Sequence, residues 1–387
     1  MGSERAEFAP ATAHGLRAER KNDHLRLAHG QATAREAGAA RSDFDELQFI
    51  HHALGGIDSA DVELSVEVAG ARWPCPLFIN GMTGGTDAAR GVNRALAAAA
   101  RETGVPMGCG SVSIALDDPR TAPSFTVIRE ENPEGIVFAN LGADRPAADA
   151  VRAVELVGAD ALQIHLNAVQ EIAMTEGSRE LGGWRDSLQA LIAASPVPVI
   201  VKEVGFGLSR RTIDELGALG VHTVDVSGRG GTDFLAIENE RRGDDGFAML
   251  AGFGQSTAEC LLEAAGREDV TVLASGGIRN PLDAVKCLAL GARGVGIAGA
   301  FLRVALDGGG PALIDRIEAW QGQLRALLAL LGAPDPAALE ERDLLVRGRL
   351  LEYCGLRGID ASALARRRPP AASLGTQEPG SESGEKT

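Results

Sequence analysis

Residues 270–299 read VTVLASGGIRNPLDAVKCLALGARGVGIAG. A short apolar, β-branched run (270–275) is broken by paired glycines. A segment with helical spacing follows, and a second short apolar run (294–299) again ends in small residues. Strand, glycine turn, helix, strand is a βα repeat, and such repeats build a parallel sheet. The same alternation continues outward from this stretch. Further candidate strands lie at 76–80, 105–110, 135–140, 161–166, 197–204 and 222–227, separated by amphipathic Ala/Leu-rich segments that end in glycine or a turn signal. Eight strands in roughly 225 residues is the size of one (β/α)8 TIM barrel. A doubly wound sheet would have fewer strands and a GxGxxG turn after the first one, which is missing here.

The barrel is therefore assigned to 76–310. Residues 1–17 are expected to be flexible, 18–75 to fold over a barrel face, 311–365 to add C-terminal helices, and 366–387 to form a disordered tail rich in Pro, Gly, Ser and charge. Within the helical part, 312–331 reads as a closing helix and 336–354 as one or two more. The connection 228–269 is the longest inside the barrel, which suits a lid or part of a site.

The chain has 387 residues, 45% of them hydrophobic, and a formal net charge of −15. A large core is possible, and general disorder is excluded. The acidity argues against nucleic acid or anionic membrane as partner, so any phosphate must be held by local groups. Cys75, Cys109, Cys260, Cys287 and Cys354 form no CxxC pair, which points to a reducing, cytoplasmic setting rather than to disulfides or zinc. No run of about 18 apolar residues and no apolar segment behind the first charges signals a membrane span or export. Glycine, 49 residues, clusters just after the apolar runs.

Active sites of this architecture sit where strands end, so the informative residues follow each run. The two turns Ser275-Gly276-Gly277-Ile278-Arg279 and Gly296-Ile297-Ala298-Gly299 would let backbone N–H groups approach a phosphate. The alternative is that these glycines only fit tight βα turns. Lys202 lies inside an apolar run, where a charge is costly unless paired or met by an anionic ligand. If the phosphate belongs to FMN, Lys202 meets the N1/O2 edge of the flavin, and Asn140, Thr83 and Ser111 bond its polar edge. A salt bridge with Glu203 or with a neighbouring strand's carboxylate is the competing reading. Asn167, Gln170 and Glu171 share one helical face. Glu171 could hold Mg²⁺ or could be a solvated helical glutamate. His165 ends a strand as a core or a functional residue, and Arg20-Lys21 sits in a basic N-terminal run beside Asp23 and His24.

Taken together, Arg20-Lys21-Asn22-Asp23-His24, Met82-Thr83-Gly84-Gly85, His165-Leu166-Asn167 with Gln170-Glu171, Val201-Lys202-Glu203-Val204-Gly205, Ser227-Gly228-Arg229-Gly230-Gly231-Thr232 and Ser275-Gly276-Gly277-Ile278-Arg279 resemble the type II, FMN-dependent isopentenyl-diphosphate isomerases. The order and spacing agree over about residues 18 to 360. The resemblance implies interconversion of isopentenyl and dimethylallyl diphosphate with FMN and Mg²⁺, the flavin being reduced by NAD(P)H without net redox change. Arg20, Lys21 and Gln170 would contact substrate, Gln170, His165 and Asn167 would serve catalysis, and Glu171 would bind the metal. Met82, Thr83, Gly84, Ser111, Asn140, Lys202, Ser227, Thr232, Gly276, Gly277, Ile278, Arg279, Ala298 and Gly299 would bind FMN. A homotetramer or homo-octamer is implied as well.

One departure stands out. Many family members carry Gly-Ser-Gln-Arg after the second strand, with an arginine for the diphosphate, whereas this chain has Gly110-Ser111-Val112-Ser113. In this reading the reduced flavin is the acid/base, with Gln170 and His165 positioning. Two rivals remain: a flavin-dependent 2-hydroxy-acid oxidase, whose catalytic histidine is replaced here by Arg229, and a non-catalytic flavin or phosphate sensor.

Overall fold

The computed structural model describes residues 13–38, 42–243 and 246–367. Eight parallel strands close a barrel in chain order: β1 (Leu77–Ile79), β2 (Met107–Gly108), β3 (Val137–Gly142), β4 (Ala161–His165), β5 (Val199–Lys202), β6 (Thr223–Asp225), β7 (Thr271–Ser275) and β8 (Gly294–Ile297). Each falls on one of the expected runs, and β8 pairs back onto β1.

Period-two alternation sorts the strand residues. Leu77, Ile79, Val137, Ala139, Leu162, Ile164, Val201, Val224, Val272, Ala274, Val295 and Ile297 join the large core shared with the surrounding helices. The opposite parity faces inward. There Phe78, Phe138, Ala161, Ile200 and Leu273 form a separate apolar cluster with Val68 and Trp73. Those last two come from a hairpin, Val66–Val68 with Ala71–Trp73, turned by Ala69 and Gly70 at φ 51° and 77°. Trp73 is fully buried and stacks its edge on Phe78 and Phe138 at centroid distances of 5.6 and 5.8 Å. The hairpin thereby plugs the end of the barrel away from the strand C-termini. A Cβ on Gly296 would lie 2.4 Å from the Phe78 ring, so this glycine serves aromatic packing.

Four helices bear on the other end: α1 (Ala13–Ala37), α2 (Ala168–Ala173), α3 (Phe234–Arg242) and α4 (Gly299–Leu330). α1 begins inside the stretch expected to be flexible and lies against α3 and α4. Residues 1–12, and the tail expected over 366–387 from residue 368 onward, lie outside the described residues. α4 spans the expected break at 310/311 and kinks there instead, because Gly309 takes φ 71° two residues before Pro311.

The expected helices over 336–354 become a 3-10 turn (Ala337–Glu341), a strand (Leu344–Val346) and the start of a helix (Gly348–Arg357). That strand pairs antiparallel with Leu47–Phe49 and buries Leu47 and Leu344. Around it Arg279 holds Asp45 at 2.6 Å, the Lys286 ammonium donates to the Phe44 carbonyl at 2.7 Å, and the Leu350 amide donates to Glu46 at 2.7 Å. Among the described residues no helix is long and apolar enough to cross a membrane.

Candidate active site

Continuing upward from the aromatic floor, each inward row changes character. Asn80, Asn140, Gln163, Lys202, Asp225 and Ser275 are all buried, and all of them except Lys202 form, with His165, a belt of side-chain hydrogen bonds. The His165 Nδ1–H donates to Asn140 Oδ1 at 2.7 Å, Asn140 donates to Gln163 at 3.4 Å, and Gln163 donates to Asn80 at 3.5 Å. Asn80 then donates to Asp225 at 2.9 Å, and the Ser275 hydroxyl reaches both Asp225 oxygens at 2.8 Å. Above the belt opens a cavity of about 1260 Å³ at the strand C-termini.

Eighteen of the residues expected from the sequence to act line this cavity: Arg20, Lys21, Met82, Ser111, Asn140, His165, Asn167, Gln170, Glu171, Lys202, Ser227, Thr232, Gly276, Gly277, Ile278, Arg279, Ala298 and Gly299. Thr83 and Gly84 stand one layer back. The Thr83 carbonyl accepts the Gly110 amide at 3.1 Å, and Gly84 lies against Phe125, where a Cβ would sit 2.0 Å from the ring.

On the β6 and β7 side the backbone itself forms the wall. Gly276 and Gly277 take φ of 95° and 77°, which favours glycine. A Cβ on Gly276 would lie 2.0 Å from the Gly228 carbonyl oxygen, and one on Gly231 would lie 3.0 Å from Gly276. Two glycine turns therefore pack main chain to main chain, leaving a shallow trough lined by backbone. The Arg279 guanidinium is held by Asp45 and Asp283, whose carboxylates push its pKa up, so it anchors the trough's edge rather than offering a free charge.

His165 and Lys202 meet at the cavity floor as register partners on β4 and β5. Burial, with Lys202 and Lys21 nearby, drives the His165 pKa down to about 3. The ring is therefore neutral, and with Nδ1–H given to Asn140 its Nε2 can only accept. Burial also lowers the Lys202 pKa, against the pull of Asp225 and Glu203. The salt bridge between Lys202 and Glu203 does not form. Glu203 instead accepts the amides of Val204, Phe206 and Gly207, and Lys202 makes no hydrogen bond among the described residues.

The opposite wall comes from α2, α3 and α1. Asn167 donates to Gln170 at 3.4 Å and to Glu171 at 3.0 Å, which realises the shared helical face read from the sequence. Gln170 donates to Glu238 at 3.1 Å, and His24 Nε2–H donates to the same oxygen at 2.8 Å. Burial alone would raise the Glu238 pKa. The bonds from His24 and Gln170 and the Arg241 charge reverse that and hold it below the usual carboxylate range. Lys21 makes no hydrogen bond among the described residues, and burial together with Arg20 lowers its pKa to about 8. Glu171 keeps its oxygens on Asn167 and on the Ser178 amide. Among the described residues no group of three or more His, Cys, Asp or Glu side chains could hold a metal by itself.

Sequence reasoning missed Glu238, Asp225, Asn80 and Gln163. For Asp225 the signal was present: like Lys202 it is a charge inside an apolar run. After β2, Ser113 lines the cavity and bonds Ser111 at 3.0 Å, while the nearby Arg145 is already paired with Asp117 and Asp149. Arg229 points elsewhere: it does not line the cavity and its nearest carboxylate is Glu259 at 3.7 Å.

The chain matches the family model of FMN-dependent dehydrogenases over residues 21–164 and 144–346. An isopentenyl-diphosphate delta-isomerase of Nocardia farcinica is 53% identical over 91% of this chain and 96% of its own length. One from a Streptomyces species is 50% identical over 93% and 98%, and one from Staphylococcus haemolyticus is 43% identical over 89% and 97%. Among solved structures, a mandelate oxidase with (S)-2-phenylpropionate superposes with a TM-score of 0.59 at 19% identity, covering 85% of this chain and 98% of that one. A flavocytochrome b2 with benzoylformate gives 0.59 at 20% identity, covering 94% and 86%. Likeness at that identity is likeness of fold.

Proposed function

The chain belongs to the FMN-dependent dehydrogenase family and, within it, to the isopentenyl-diphosphate delta-isomerases, and from that premise we propose that its cavity interconverts isopentenyl and dimethylallyl diphosphate. The observation that carries this reading is one cavity combining a backbone trough and a buried free cation with a second, separate pair of cations on α1. The first two suit a flavin phosphate and ring, and the pair suits a second anion.

The residues fit FMN. A wall where the main chain of Gly276 and Gly277 packs directly on Gly228 and Gly230 presents backbone that suits a phosphate, and the unpartnered Lys202 suits the polar edge of an isoalloxazine. The Thr83 hydroxyl, one layer behind the cavity wall, is buried and lacks a partner among the described residues. Asn140, Ser111, Ser227, Thr232 and the 276–279 and 298–299 backbone complete this binding surface. Bound FMN in its reduced state supplies an electron-rich face and an exchangeable nitrogen proton for a reaction that adds one proton and removes another two bonds away.

Arg20 and Lys21 grip the diphosphate, and Lys21 regains full charge when that anion arrives. Glu171 fits a Mg²⁺ that completes its shell with water and substrate phosphate oxygens, since this ion commonly takes a single carboxylate. Glu238 and Asn167 fix the Gln170 amide, leaving it one N–H for the substrate. The His165 Nε2 offers an acceptor at the floor and cannot supply a proton at working pH. NADPH is the external reductant. The hydroxy-acid alternative needs a base where Arg229 stands outside the cavity. Five buried, unbridged cysteines suit a cytoplasmic setting. A homotetramer or homo-octamer would cover exposed Met249, Phe253, Leu351 and Leu356.

The deciding experiment is an anaerobic assay with isopentenyl diphosphate, Mg²⁺, FMN and NADPH, each omitted in turn. Dimethylallyl diphosphate should require all four, with NADPH consumed substoichiometrically. Stoichiometric NADPH loss, or no product despite bound yellow flavin, would refute the assignment.

A further inference from the structure

Lys202 is buried, aimed into the cavity and without a hydrogen-bond partner among the described residues, so something must keep an ammonium charged there. Three groups bear on it. His165, its register partner on β4, is neutral. Glu203, the next residue, turns its carboxylate onto three backbone amides of the following turn and supports the charge less. The larger support comes from Asp225, register partner of Lys202 on β6 and of the same inward parity.

Asp225 is fully buried and held by neutral donors: Ser275 Oγ at 2.8 Å, Asn80 Nδ2 at 2.9 Å and the Ser227 amide at 3.1 Å. None of these donors carries charge, so they fix the carboxylate without neutralising it. Ser227 itself takes a positive φ of 37°, a conformation rare for a residue with a side chain, and in it the Ser227 amide meets Asp225.

We propose that Asp225 is a positioning residue for the flavin site: locked by Asn80, Ser275 and the Ser227 amide, it keeps charged the Lys202 ammonium that would meet the polar edge of the isoalloxazine. This rests on the FMN reading above. The reverse electrostatic expectation makes the proposal testable. A carboxylate acting only through its own field would repel electron density from the flavin, and removing it would make the ring a better electron acceptor. A carboxylate acting through Lys202 does the opposite, because its loss lets the ammonium deprotonate.

The test uses FMN-loaded protein and sulfite, which adds to oxidised flavin, bleaches its visible band and is favoured by a cation at the ring. In Asp225→Asn the sulfite dissociation constant should rise about threefold or more at pH 8, as a smaller fraction of Lys202 stays charged. It should return toward the wild-type value as the pH falls to 6. Lys202→Met should be weak at every pH, and the double variant no weaker than Lys202→Met alone. Unchanged or tighter sulfite binding in Asp225→Asn, or weakening that ignores pH, overturns the proposal. If Asp225→Asn does not retain FMN, Ser275→Ala decides. A smaller loss in the same direction, again recovered at low pH, is expected, and wild-type behaviour overturns the proposal. A wild-type protein that takes up no FMN would overturn the flavin reading as well.

Discussion

The lower and upper inward layers of the barrel stand on the same strands, two residues apart. Phe78, Phe138, Ile200 and Leu273 face the axis below, and Asn80, Asn140, Lys202 and Ser275 face it above. Sheet parity treats both sets alike, so the backbone does not distinguish them. The side chains do. The lower layer packs aromatic edges against Trp73 and needs no partner beyond contact. The upper layer carries amides and charges whose burial is costly, tolerable because they bond one another and because Lys202 awaits a ligand. Stability should therefore be concentrated below and binding above.

That division can be broken by substitution. Phe138→Ala should show the largest effect, a loss of about 3 to 5 kcal/mol of stability in denaturant titration, with FMN affinity of the folded fraction within about threefold. A parallel collapse of FMN affinity would show the two layers to be one unit. Gly276→Ala should come next. Its Cβ would meet the Gly228 carbonyl at 2.0 Å, so the FMN dissociation constant should rise about a hundredfold by flavin fluorescence, roughly 2.7 kcal/mol. Gln170→Ala should lower kcat about thirtyfold, roughly 2 kcal/mol, with little change in melting temperature. Wild-type turnover would remove Gln170 from the mechanism.

The smallest effect is that of pH. Lys21 is a cation whose pKa is lowered to about 8, so in the proposed function it would hold diphosphate below that value and lose the charge above it. The kcat/KM for the diphosphate should fall by up to about tenfold per pH unit above 8. Lys21→Arg should move this fall to higher pH.

The barrel was legible because most strands are short apolar runs closed by glycine or a polar turn residue, a pattern that local chemistry alone writes. The trough at Gly276–Gly277 and the unpaired Lys202 were legible for the same reason: a paired glycine and a charge in an apolar run are anomalies within a few residues. Asn80 and Gln163 were not singled out, because their partners come from other strands and only barrel closure brings them together; Asp225 carried the same local signal as Lys202 and was passed over. Glu238 reads as one acidic residue of a polar helix until α3 turns it onto Gln170 and His24. The ladder of Leu47–Phe49 with Leu344–Val346 could not be read, since three-residue strands show no period and their pairing spans nearly the whole chain.

That ladder sets an order of events during synthesis. The strand that anchors the segment behind α1 leaves the ribosome among the first, and its partner among the last. A nascent chain that has just released β8 already holds the glycine trough and the polar belt. The segment that follows α1 has no partner for Leu47–Phe49 until Leu344–Val346 emerges, so this ladder closes only after every strand of the barrel has been made.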